Sequence, residues 1–165
     1  MMKNSISPDT VCTILQQITF FGEDYMEKIT LMEKYLKEKC LTCIIVNAED
    51  VFNTDAFMRI SHDILKTVVS LKTLTTTEKH VFESCVRWAK HQLLELGNED
   101  PSDKEIREKL GDVLYEIRFP TMTAEEFAGL TAHSKILTAH EKHDVYVYIA
   151  TKKRLKSLKF VSSIR

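Results

Sequence analysis

The residue types that could do chemistry in this 165-residue chain are few. Cys40-Leu41-Thr42-Cys43 places two thiols three positions apart, a spacing that zinc ribbons and dithiol redox sites share. A ribbon needs a second ligand pair at matching distance, and a dithiol site needs a strand-helix-strand setting; the sequence supplies neither. His140 and His143 are also three apart, with His133 upstream, but no thiol or carboxylate pattern completes a ligand set. His80 and Cys85 are five apart on one helical pattern, hence about 140° apart around its axis, which separates a nucleophile from its base. Glu125-Glu126 follows Thr123 and fits capping and the helix dipole better than paired acid and base. No glycine-rich phosphate loop is present. The expectation is therefore no catalytic residue, no metal and no cofactor, with Cys40, Cys43, His140 and His143 structural.

The elements that must hold these side chains are legible from their starts. A Ser or Thr followed three residues later by Glu satisfies orphan backbone donors at both positions of a helix N-terminus. Thr75 with Glu78, Ser102 with Glu105, Thr123 with Glu126, and Thr138 with Glu141 each precede helical apolar spacing. The first helix is predicted from Pro8, with Ser7 as cap and the proline where its missing N–H is harmless, to a stop at Gly22. Its apolar face is Val11, Ile14, Leu15, Ile18 and Phe21. A second helix is expected over residues 24–39 with Tyr25, Ile29, Met32 and Leu36 as its stripe, and a third over 41–52. Short helices follow over 55–60 and, capped by Ser61, over 62–70.

A long helix is predicted over residues 76–96, stopped by Gly97, with Phe82, Cys85, Val86, Ala89, Leu93 and Leu96 along one side and Trp88 widening it. Another, over 103–117, carries Ile106, Leu110, Val113, Leu114 and Ile117. Pro120 builds a turn, and a new helix begins at Thr123. Residues 145–149, Val-Tyr-Val-Tyr-Ile, suit either strand or helix on composition; the Thr138 box tips them to helix. The expected fold is an all-α antiparallel helical-hairpin bundle of about eight helices. Its core candidates are Val11, Leu15, Phe82, Cys85, Trp88, Leu110, Leu114, Phe119 and Phe127.

Composition agrees with that class: 44% apolar, 28% charged, four glycines and three prolines, too few turn formers for a β-sandwich. A chain of this length buries roughly 70% of its surface on folding and suits one compact domain without staples. No apolar run approaches the roughly 20 residues that span a bilayer, and residues 1–6 do not resemble a signal peptide. Four cysteines without a framework fit a reducing compartment, so a cytoplasmic or also nuclear setting is expected. Net charge of −1 argues against nucleic acid as partner. The charge is uneven, because Lys152, Lys153, Arg154, Lys156, Lys159 and Arg165 close the chain with no acid among them. Such a run reads as a solvated linker or, less simply, as a phosphate or acidic-partner contact.

Two segments carry a family resemblance. Residues 75–89, Thr-Thr-Thr-Glu-Lys-His-Val-Phe-Glu-Ser-Cys-Val-Arg-Trp-Ala, and residues 117–123, Ile-Arg-Phe-Pro-Thr-Met-Thr, resemble the BACK domain, the helical module that follows a BTB/POZ domain in adaptors of cullin-3 ubiquitin ligases. Residues 5–15 look like the start of the helix pair, the three-box, that links BTB to BACK. Residues 47–57, with Ile60-Ser61 and Leu65, are similar to the first BACK helices. Met122, Glu126-Phe127-Ala128 and Ser134-Lys135-Ile136-Leu137 look like the BTB–BACK proteins that end in a PHR domain.

The resemblance implies a three-box-like pair over residues 1–40, a BACK-like domain over 41–151 and a basic linker over 152–165. It implies a scaffold in which BTB binds cullin-3, the helix pair adds a contact, BACK acts as spacer, and a following domain recruits substrate. The mixed α/β BTB fold is absent from this chain, which therefore reads as a fragment, and the Phe21 to Cys40 stretch is about ten residues longer than the family spacing. An apolar groove near Gly22, with Phe20, Phe21 and Tyr25, is the candidate partner site for the cullin-3 N-terminal region. The alternative is a stand-alone helical interaction module unrelated to ubiquitin ligases.

Overall fold

The computed structural model describes residues 6–21 and 29–163; Gly22 and Tyr25 lie outside them, as do the side chains of Phe21 and Ile29. The described residues are all helix and connection, with no strand among them. They fall into two compact units, Met1–Thr76 and Thr77–Arg165.

In the first unit, α1 spans Pro8–Phe21. Ser7 opens it: its carbonyl accepts from the Val11 N–H at 2.9 Å, and its own N–H donates to the Thr10 hydroxyl at 3.1 Å. Helix α2 runs Ile29–Val46 without interruption, which corrects the expected break near Cys40. Nothing at residues 39–41 is a breaker; the turn comes at Asn47, whose side-chain amide donates to the Cys43 carbonyl at 2.9 Å. Helices α3 (Ala48–Phe52), α4 (Asp55–Met58) and α5 (His62–Ser70) follow. Thr54 and Ser61 cap α4 and α5 by accepting from the N–H of Phe57 and of Ile64. Helix α1 packs on α2, α3 and α4, burying Val11, Cys12, Leu15, Cys40, Ile44, Val51, Phe52 and Phe57.

The second unit opens with α6, Glu78–Leu94, capped by Thr77 and not by Thr75. The Thr77 hydroxyl accepts from the His80 N–H at 3.2 Å. Thr75 serves the first unit, where its hydroxyl donates to the Ile45 carbonyl and, at 2.9 Å, to that of Val46, satisfying acceptors left over at the end of α2. Glu78 is thereby released from the expected box, and its carboxylate accepts the Arg118 N–H at 3.0 Å. Leu96, expected on the apolar side, lies past the helix end and is exposed.

The helix expected over 103–117 is two: α7 (Asp103–Leu110) and α8 (Val113–Glu116). Gly111 divides them at φ 52°, a backbone setting that L side chains rarely adopt. Breaking the rod there keeps Ile106, Leu110, Val113, Leu114 and Ile117 all buried. A 3-10 turn, Phe119–Thr121, holds Pro120. Helices α9 (Ala124–Thr131) and α10 (Ala139–Thr151) complete the fold. Residues 145–149 are helical within α10, as the Thr138 box indicates. The boxes at Ser102, Thr123 and Thr138 are each closed in both directions.

The aromatic centre of this unit is Phe119, whose ring meets Phe82 at 5.2 Å, Phe127 at 5.8 Å and Phe160 at 5.1 Å, all edge-on. Trp88, Leu110 and Leu114 are buried in the same unit. Phe160 comes from the tail, as does the buried Leu158.

Candidate functional site

The residues with chemical potential are placed as follows. Cys12 on α1 comes into the electrostatic neighbourhood of Cys40 and Cys43 on α2, a grouping that sequence spacing does not disclose. Burial first, then the two neighbouring sulfurs, push the Cys12 thiol up to about 12. Burial and Cys43 likewise raise Cys40. These thiols stay protonated at neutral pH, the opposite of an activated nucleophile. Cys85 is fully buried in α6. Among the described residues, no group of three or more His, Cys, Asp or Glu is arranged to hold a metal ion. His140 and His143 are exposed and flank the buried Asp144 carboxylate at 3.6 Å each.

Glu126 is occupied by capping: its carboxylate accepts the Thr123 N–H at 2.9 Å and hydroxyl at 3.1 Å. Those bonds hold its carboxyl below the usual range. It borders an acidic hollow of about 420 Å³ with Lys79, Glu83, Glu125, Gly129 and Leu130. Ordinary helix-start geometry accounts for it without paired acid-base chemistry.

The feature that does suit binding is on α1. Thr13, Gln16, Gln17 and Phe20 follow the i, i+3, i+4, i+7 spacing of one helical face, away from the buried Val11, Cys12 and Leu15. With Ala56 and Arg59 they line a groove of about 490 Å³. Phe20 is 79% exposed at its rim. The early turns of α2, in the same unit, also present Leu31, Met32 and Tyr35 to solvent, at 76%, 73% and 60%. This corrects the expected inward stripe of that helix: Met32 faces out and Leu36 is only half-buried. Of the three candidate partner residues, the structure thus places Phe20 on the surface, while Tyr25 and the Phe21 side chain lie outside the described residues. The polar members of the groove, Gln16, Gln17 and Arg59, were missed because long polar residues on a helix read as ordinary wet face.

The nine core candidates are buried: Val11, Leu15, Phe82, Cys85, Trp88, Leu110, Leu114, Phe119 and Phe127 are each no more than 5% exposed. No helix among the described residues is long and apolar enough to cross a membrane.

Comparison with known proteins adds the family context. Residues 28–132 match the family model described as BACK, BTB And C-terminal Kelch. The sequence is 33% identical to BTB/POZ domain-containing protein 6 of Mus musculus over 156 residues, covering 93% of this chain and 27% of that protein. It is 30% identical to BTB/POZ domain-containing protein 3 of Homo sapiens over 168 residues, covering 99% of this chain and 29% of the relative. The chain therefore spans between a quarter and a third of the length of these relatives. The family match begins at residue 28, so α1 and its groove residues on that helix precede it.

Proposed function

Because the chain belongs to the BACK family, we propose that it is the non-catalytic spacer of a substrate adaptor for a cullin-3 RING ubiquitin ligase, holding a substrate-recruiting domain at a set distance from BTB and cullin. Relatives named for their BTB/POZ domains support this over most of the chain. In this reading the three-box-like pair expected over residues 1–40 shares the continuous α2 with the BACK-like body, expected over 41–151 and matched from residue 28, and residues 152–165 lead towards a recruiting domain, of the PHR type. The work is done in cytoplasm or nucleus and needs no cofactor.

The observation that carries the partner site is the solvent-facing row on α1, Thr13, Gln16, Gln17 and Phe20, around a groove of about 490 Å³. An exposed aromatic beside polar groups that can pair with backbone suits a short segment laid along a helix. The proposed occupant is the N-terminal region of cullin-3. The contact is small, well below the roughly 1,200 Å² of stable interfaces, because BTB supplies the main surface.

Titration calorimetry of this chain with the cullin-3 N-terminal domain tests the assignment. Weak binding, removed by Phe20→Ala with helicity and melting unchanged, is the expected result. Submicromolar affinity would refute the spacer reading, and weak binding indifferent to Phe20→Ala would move the contact elsewhere.

A further inference from the structure

We propose that Ser157 is a phosphoacceptor for a kinase that selects basic substrates. Two hydroxyl residues that follow an arginine by three positions bear comparison, Thr121 after Arg118 and Ser157 after Arg154. The structure separates them. Thr121 lies in the 3-10 turn behind buried Pro120, and its hydroxyl donates to the Arg118 carbonyl at 2.8 Å. A kinase cleft cannot take that hydroxyl without opening the 3-10 turn that Thr121 shares with buried Phe119 and Pro120. Ser157 is exposed in a turn closed by the Leu158 N–H on the Leu155 carbonyl at 3.2 Å.

The approach to Ser157 is also suitable. Helix α10 ends at Thr151, and Lys152, in the left-handed region at φ 57°, gives its N–H to the Tyr148 carbonyl at 2.7 Å as the last helical bond, so residues 153–155 lie beyond the helix and can be laid along a cleft. Leu158 and Phe160 are buried immediately afterwards, which anchors the segment on the C-terminal side of the exposed Ser157. Lys153, Arg154, Lys156 and Lys159 are exposed around it, and residues 152–163 contain no acid. Arg154 donates to the Ser162 hydroxyl at 2.8 Å at the surface and to the part-buried Leu158 carbonyl at 3.3 Å. The Ser162 hydroxyl can turn to water when the guanidinium is taken by a cleft carboxylate, which a planar fork pairs with better than an ammonium does.

In the transfer, the Ser157 hydroxyl oxygen attacks the γ-phosphorus of magnesium ATP, and its proton passes to the kinase's catalytic aspartate. The bond from oxygen to phosphorus forms as the bond to the bridging oxygen breaks, its electron pair leaving on ADP. The product carries about −2 in a segment otherwise free of negative charge, which changes what that surface can attract.

The test incubates the full chain with magnesium ATP and either an arginine-directed kinase or an acid-directed one, and reads intact mass and peptide maps. One phosphoryl group on Ser157 from the arginine-directed enzyme is expected. Ser157→Ala should abolish it, and Arg154→Ala should slow it by about tenfold or more, with circular dichroism unchanged in both. No incorporation, incorporation that survives Ser157→Ala, modification at Thr121, an Arg154→Ala rate equal to the parent's, or equal labelling by the acid-directed enzyme would overturn the assignment.

Discussion

Glu141 shows how much one side chain can organise. One carboxylate oxygen accepts the Thr138 N–H at 2.9 Å, the Thr138 hydroxyl at 3.0 Å and an Arg107 N–H at 2.8 Å. The other accepts a second Arg107 N–H at 2.8 Å and the Tyr115 hydroxyl at 3.2 Å. Burial alone would raise this carboxyl, but the bonds from Arg107 and Thr138 and the arginine's charge outweigh it and hold it at about 2. The same pairing raises Arg107. A carboxyl depressed on folding contributes stability above its unfolded value of 4.5, and that contribution fades as pH falls from there towards 2. Denaturant titrations between pH 7 and 2 should show Glu141→Gln less stable by about 3 kcal/mol at pH 7, with the gap closing below pH 4.5. A constant gap across that window would mean the ion pair is not its source. Sequence alone assigned Glu141 to capping; its partner Arg107 is 34 residues away, beyond any local pattern.

Among the elements, boundaries followed the strength of the local signal. Three Ser or Thr boxes close as their spacing indicates because both partners lie within one turn, so nothing distant needs to be known. The fourth failed at Thr75 because three threonines in succession, Thr75, Thr76 and Thr77, compete for one cap. The choice was settled by two nonlocal acceptors, the carbonyls of Ile45 and Val46 for Thr75, and by the Arg118 N–H for Glu78. The break at Gly111 was visible as a glycine yet outvoted by a continuous apolar stripe, which the kinked path preserves. Thr77→Ala should lower stability by about 1 kcal/mol, the usual loss of an N-cap. Thr76→Ala, whose residue neither caps α6 nor holds the end of α2, should lie within about 0.5 kcal/mol of the parent. Equal losses in chemical denaturation would show that the cap is shared along the threonine run.

For the molecule as a whole, the all-α class and the buried stripes were readable because helical periodicity repeats over many residues, whereas the extent of the folded body was not. Six cations with no acid after Thr151 made the tail look like solvated linker, and its exposed lysines do face water. Two apolar residues inside that charge, Leu158 and Phe160, are nonetheless 4% and 1% exposed. Phe160 completes the ring cluster, 5.1 Å from Phe119 and 5.5 Å from Tyr115. Tyr115 in turn donates to Glu141 and lies 5.6 Å beneath the Lys159 ammonium. Burying a leucine and a phenylalanine contributes about 1.5–3 kcal/mol each, offset in part by the entropy of ordering the segment. Ending the chain after Thr151 should therefore destabilise the second unit by on the order of 3 kcal/mol, and Phe160→Ala in the full chain should reproduce most of that loss. Chemical denaturation with Trp88 fluorescence as probe reports this unit, since that indole is its buried tryptophan. A truncated chain that unfolds at the parent's midpoint would return residues 152–165 to the role of linker, and would remove the anchored turn on which Ser157 is presented.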